Sequence, residues 1–173
     1  MYFPMVPNSF IYSCVDVCWR DVLWGYERRL VGWKFVVEFA DFNVSNGSVE
    51  PLEIDLICLG EIDIREIEEK MYLLSKQEKE TLAFTSKQKW LFIALKWLYE
   101  NQRHVVDPLG SVELVYEDFD FPTEIESFVR YMPAQGGYKP EEYTAQQNID
   151  RLFCNWREYL EGEKGDGFIY RFD

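Results

Sequence analysis

The chain has 173 residues, of which 47% are hydrophobic and 17% aromatic, and it carries 31 acidic against 18 basic side chains for a formal net charge of −13. That length fits one domain with a sizeable core, and the apolar fraction is too high for an intrinsically disordered chain. The negative balance repels phosphate backbones and argues against nucleic-acid binding; it suits a basic protein, a polyamine or a divalent cation.

The opening MYFPMVPNSF lacks a basic stretch ahead of an apolar one and is broken by Pro4 and Pro7, so no targeting segment is expected and residues 1–12 read as a peripheral tail. No apolar run approaches the ~20 residues of a membrane helix. A cytoplasmic location is the expectation.

Trp19, Val22, Leu23, Tyr26 and Leu30 recur at helical spacing and predict a first helix, with Asp16 as its N-cap and Gly32 as the break. Trp24 lies off that stripe, so it either meets another helix or stands as an aromatic anchor for a partner. Phe35, Val36, Phe39 and Ala40 mark a second helix that ends in the turn chemistry of Ser45 to Ser48. Pro51 and Gly60 bracket a third, with Leu52, Leu56 and Leu59 inward; the partial alternation of LEIDLICLG leaves a strand as the alternative. Asp63 with Glu66 resembles a capping box ahead of Ile64, Ile67, Met71 and Leu74. Ser86 caps the next helix, whose run KWLFIALKWLYE is apolar on most sides and reads as central. Asp107-Pro108 opens a short helix through Val112, Val115 and Tyr116, which Phe121-Pro122 breaks. Thr123 with Glu126 caps a helix carrying Ile125, Phe128 and Val129. Ala134 to Pro140 is a loop, and a last helix carries Ile149, Leu152, Phe153, Trp156 and Leu160 before a tail at 162–173. With no repeat and no βαβ alternation, these segments predict an all-α, single compact domain of about seven or eight helices spanning 1–173.

Chemistry is sparse. Cys14, Cys18, Cys58 and Cys154 form no CxxC pair, and the spacing of Cys14 and Cys18 suits one helix face, so free thiols are expected rather than zinc ligands or a disulfide. The single histidine, His104, excludes a His-rich metal site and weakens any Ser–His or Cys–His nucleophile. None of GxSxG, GxxxxGK[ST] or GxGxxG occurs. Glu117, Asp118 and Asp120 are the most chemical-looking residues, since paired carboxylates bind Mg²⁺ or move protons. They come from one element, however. The expectation is that Phe119 and Phe121 anchor a turn while Asp118 and Asp120 face water. No catalytic residue, metal ligand or cofactor is assigned.

The charge is concentrated. Glu38, Asp41, Glu50, Glu53, Asp55, Glu61 and Asp63 lie between Lys34 and Arg65 with no Lys or Arg among them. Asp107, Glu113, Glu117, Asp118, Asp120, Glu124 and Glu126 do the same between Arg103 and Arg130.

Several strings carry a family resemblance: Leu23-Trp24-Gly25-Tyr26-Glu27 after Trp19, Lys89-Trp90, Leu95 to Glu100, Tyr116 to Pro122, and Glu124 to Pro133. Together they resemble a bacterial family of domains of unknown function, over most of the chain. The resemblance implies a bacterial, cytoplasmic origin and assigns no activity. The residues themselves then point to a non-enzymatic protein-binding module for a basic partner, with Trp24, Asp118, Asp120 and Glu124 as candidate contacts. An immunity-type antitoxin that masks a basic toxin is the sharpest version. A metal-dependent hydrolase using Glu117, Asp118 and Asp120, and a structural adaptor with an apolar groove, are the rivals.

Overall fold

The computed structural model describes residues 4–78 and 85–162. Among these residues there are eight α-helices, four short 3-10 turns and no strand, so the all-α class holds. The helices are α1 (Asn8–Cys14), α2 (Trp19–Glu27), α3 (Trp33–Ser45), α4 (Pro51–Ile57), α5 (Ile64–Gln77), α6 (Ser86–Glu100), α7 (Pro108–Asp118) and α8 (Ala145–Glu161). Contacts cluster into two compact units: Asp16–Trp90, and the segment up to Val15 together with the chain from Leu91 onward. The opening turn of α6 belongs to the first and the rest of it to the second.

In the first unit α2 packs on α5, α3 on α4, and α5 also meets α3 and α4. The apolar stripes predicted for α3 and α5 are the buried ones: Phe35, Val36, Phe39 and Ala40, then Ile67, Met71 and Leu74. Residues 51–57 are helical, which removes the strand alternative. Only Leu56 of the leucine stripe there is fully buried; Glu53 is buried beside it. The Glu53 carboxylate accepts from Trp19 Nε1 at 2.6 Å, from Asn43 Nδ2 at 2.7 Å and from the Ser48 hydroxyl. Three donors satisfy the buried acid, and it ties α2, α3 and α4 together.

Caps depart from the local reading. Cys18, not Asp16, is the N-cap of α2, and the Asp21 carboxylate accepts its N–H at 3.0 Å. Glu78, distant in sequence, accepts the N–H groups of Trp19 and Arg20 at 2.6 and 2.9 Å. Asp21 also accepts from Ser86 Oγ and Lys89 Nζ, each at 2.6 Å. Ser86 is thereby diverted from capping. Thr85 and Gln88 form the capping box of α6 instead, with Gln88 N–H on the Thr85 hydroxyl at 3.3 Å and Thr85 N–H on the Gln88 side chain at 3.0 Å. The Asp63 carboxylate reaches back to Gly60 N at 3.0 Å, so it caps the preceding 3-10 turn and not α5. Gly25, inside α2, sits where a Cβ would stand 2.6 Å from Trp90 Cζ2. The indole is pinned there by donating to the Asp21 carbonyl at 2.8 Å.

In the second unit α1 lies partly within the stretch read as a peripheral tail, and its Ile11 and Cys14 are buried. Cys14 ends α1 while Cys18 opens α2, so the two thiols share no helix. From Leu91 to Leu95 every side chain is buried, as a central helix requires. Residues Thr123–Phe128 form a 3-10 helix without a side-chain cap, in place of the predicted capping box; Ile125 and Phe128 still point inward. α8 packs on this turn through Leu152, Trp156 and Leu160, whereas Ile149 is exposed. Among the described residues no helix is long and apolar enough to cross a membrane. The predicted tail beyond Gly162 lies outside the described residues.

Candidate functional site

The end of α7 follows from backbone hydrogen bonding. Asp120 N–H donates to the Glu117 carbonyl at 3.2 Å and Phe121 N–H to the Tyr116 carbonyl at 2.9 Å. This pair of bonds is the Schellman arrangement that satisfies the last carbonyls of a helix, and it asks for a left-handed residue just past the C-cap. Asp120 supplies it with φ 55°, where glycine is usual. The motif also brings an apolar contact between its ends, and Phe121 meets Tyr116 edge-on at 5.2 Å. Phe121 itself is left-handed too, with φ 53°. A bulky side chain there is an outlier that the turn alone does not require.

The result is an aromatic cluster at the surface. Phe119 is buried, but Phe121 is 58% exposed and Tyr131 53% exposed. Tyr116 lies beneath, its ring 6.1 Å from that of Tyr131. The expectation that both phenylalanines anchor the turn is therefore corrected for Phe121, which holds Tyr116 with one edge and offers the rest to solvent. Carboxylates surround the rings. Burial, Glu117, Tyr116 and Glu113 hold the Tyr131 hydroxyl above its ordinary pKa. Burial and Glu126 do the same for Tyr116, which donates to Glu126 at 3.3 Å.

Arg130 closes one side of this face. Its guanidinium donates to Glu113 at 2.7 and 2.8 Å and to Asp107 at 3.2 and 2.9 Å. Asp107 meanwhile caps α7 through Gly110 N–H at 2.9 Å. That bond, with Arg130, lowers the Asp107 pKa from its usual value. Two of the seven acids in this block are thus committed to one arginine. Of the others, Glu117 and Asp120 are exposed, and Asp118, Glu124 and Glu126 are half-buried.

The predicted contacts belong to different parts of the chain. Asp118 and Asp120 lie at the end of α7. Glu124 lines a neighbouring cleft with Tyr159 and Arg151. Trp24 belongs to the first unit, half-buried, with the Arg28 guanidinium 3.9 Å above its ring. Phe121, Tyr131 and Arg130 were missed. The one available signal was the Tyr116–Pro122 string itself, dense in aromatics and acids and without glycine.

Among the described residues no three or more His, Cys, Asp or Glu side chains stand together as a metal site. Glu117, Asp118 and Asp120 therefore do not converge as the hydrolase reading needs. The four cysteines are free thiols; Cys14 is buried, while Cys58 is exposed. In the first unit a second concavity of about 770 Å³ is lined by Leu23, Leu30, Val31, Trp33 and Met71, with Tyr26 donating to Glu68 at 2.9 Å at its edge.

These features define an α-helical protein whose most distinctive surface is an acidic rim around exposed aromatic rings. The chain belongs to the DUF2247 family, uncharacterised proteins conserved in bacteria, which it matches over residues 8–164. The family resemblance carried by the Trp24-Gly25 and Glu124 to Pro133 strings is of that kind. No curated protein and no solved structure matches the chain.

Proposed function

We propose that the chain is a non-enzymatic, cytoplasmic protein-binding module that holds a basic partner on the face formed by Glu117, Asp118, Asp120, Phe121 and Tyr131. Its sharpest form is an immunity-type protein that masks a basic toxin. One observation carries this reading: Phe121 is held out to solvent in a left-handed backbone directly after the acidic end of α7. Strained backbone persists where the surroundings enforce it, and it concentrates at functional sites. Interface hot spots pair a desolvated aromatic anchor with a charged rim that steers association.

Reversing the charge at Asp118 and Asp120 together, to Lys, is expected to slow association with a basic partner by about tenfold and to flatten its salt dependence. Phe121→Ala is expected to speed dissociation at unchanged salt dependence. Stopped-flow association across a salt series reads both. A salt slope identical in the native and charge-reversed chains would sink the reading. The sequence also nominated Trp24 and Glu124, and single variants of each in the same assay decide whether they join the face.

A second reading has its own support in the concavity of the first unit, whose apolar lining from Leu23, Leu30, Val31, Trp33 and Met71 is edged by Glu27, Arg29 and Glu68. An adaptor that docks there would keep its partner in high salt and lose it on Trp33→Ala, with Asp118 and Asp120 indifferent.

A further inference from the structure

Arg29 repeats, at the end of α2, the conflict seen at Asp120. Leu30 N–H donates to the Gly25 carbonyl and Arg29 N–H to the Tyr26 carbonyl, each at 2.9 Å. Arg29 therefore takes the left-handed place that glycine usually fills, with φ 60°. A cation at a helix C-terminus suits the helix dipole, but Arg28 at the C-cap already supplies one with φ −93°. Strained backbone of this kind concentrates at functional sites. Arg29 stands at the edge of the first unit's concavity. Its side chain is exposed, and among the described residues no carboxylate pairs with it.

The concavity, of about 770 Å³, lies within the ~300–1,000 Å³ usual for small-molecule sites, which are mostly apolar with a few placed polar groups. Leu23, Leu30, Val31, Trp33 and Met71 give the apolar lining. Two further cations are held over rings that belong to the wall. Lys34 Nζ lies 5.6 Å from the centre of the Trp33 ring, and Lys76 Nζ 5.1 Å from that of Tyr72. Glu27 and Glu68 are the carboxylates of the wall, and Glu68 already accepts the Tyr26 hydroxyl at 2.9 Å. Three cations against two carboxylates leave this place one charge positive, on a chain whose net charge is −13. A cationic ligand would meet Arg29, Lys34 and Lys76. A small dianion would make no use of the apolar lining. An apolar body that carries one negative charge matches both.

We propose that this concavity binds a small apolar monocarboxylate. Its hydrocarbon chain lies on Leu30, Trp33 and Met71, and its carboxylate on Arg29. The site is independent of the acidic face at the end of α7, and it gives the concavity a small molecule in place of a docked protein.

Calorimetric titration of the full chain with octanoate, 1-octanol, octylammonium and decanoate tests it. The first three share one chain and differ in charge. Octanoate is expected to bind one to one at about millimolar Kd, 1-octanol severalfold more weakly and octylammonium weakest. Decanoate has two more methylenes to bury and should bind about fivefold tighter or better. Arg29→Gly suits the left-handed turn, so it keeps the fold while removing the guanidinium. It should melt no lower than the native chain, yet lose most of the preference for octanoate over 1-octanol. Arg29→Lys should restore part of that preference. No heat from decanoate at about 5 mM would overturn the proposal. So would octylammonium binding as tightly as octanoate, or an unchanged preference in Arg29→Gly.

Discussion

At Asp120 the chain places a side chain where the helix terminus asks for none. Left-handed backbone costs an L-residue roughly 1–2 kcal/mol, less for Asp because its short side chain bonds locally. Asp120→Gly is therefore expected to raise stability by about 0.5–1 kcal/mol, read from the shift in urea midpoint, while slowing partner association. A variant both more stable and equally fast to associate would assign Asp120 to the turn alone. The thiols supply a second residue-level contrast. Burial pushes Cys14 and Cys18 up to about 12, so both stay protonated at pH 8, while Cys58 is exposed. Timed alkylation with peptide mapping should label Cys58 well before Cys14 or Cys18; equal rates would contradict the fold around them. The string from Asp118 to Pro122 announced a break in the helix but not which phenylalanine faces out. Helical periodicity fixes side-chain direction only up to Asp118. Beyond it the direction depends on φ, and two left-handed non-glycine residues leave no mark in composition.

At the scale of elements, Gly25 sets how closely α2 approaches the start of α6. Alanine there would gain helix propensity of about 1 kcal/mol. It would also press a methyl against an indole that cannot yield, because Trp90 Nε1 is bonded to the Asp21 carbonyl. Overpacking of that kind costs about 1–3 kcal/mol and outweighs the gain. Gly25→Ala should accordingly lower the melting temperature, and a rise would mean that Trp90 has room to move. The apolar stripes of α3 and α5 were legible because burial on a helix leaves a 3.6-residue period. The caps were less so. Thr85 was overlooked for its neighbour Ser86, a one-residue error natural at helix ends. Glu78 capping α2 could not be read at all, since nothing local links residues so far apart. The buried Glu53 was hidden in the same way: the sequence counted it as surface charge.

At the scale of the molecule, the net charge of −13 overstates what the surface offers. Asp21, Glu53 and Glu78 are hydrogen-bonded to donors from other elements, and Asp107 and Glu113 hold Arg130. The two acid blocks read from sequence are therefore not two equivalent patches. pH dependence follows from the shifts. Asp107 titrates below its ordinary value, so its contribution to stability is present above about pH 4 and is lost as the pH falls further. Arg130→Ala should cost about 1 kcal/mol at pH 7, the pair being partly exposed, and should make the acid-side decline shallower. Urea midpoints at pH 7 and pH 3 check both; an undiminished acid decline would mean that other carboxylates govern it. Raised thiol pKa values act in the opposite sense. What Cys14 and Cys18 contribute is complete below about pH 9 and disappears as the pH approaches 12.

The division of the contacts bears on how the chain is made. The first unit is one continuous stretch, Asp16–Trp90, while the second joins the segment up to Val15 to everything from Leu91 onward. A ribosome emits the early segment of that second unit well before its later one, at roughly 5–20 residues per second. During that interval the apolar side of α1, with Ile11 and Cys14, has nothing from the later segment to cover it, whereas the first unit already has its own sequence in hand. Nascent-chain stalling at successive lengths would show the first unit resisting protease early and α1 acquiring protection last. Until residues from Leu91 onward emerge, a seven-residue segment such as α1 has too few turns to hold its helix alone, so its order of folding is set by its late partners.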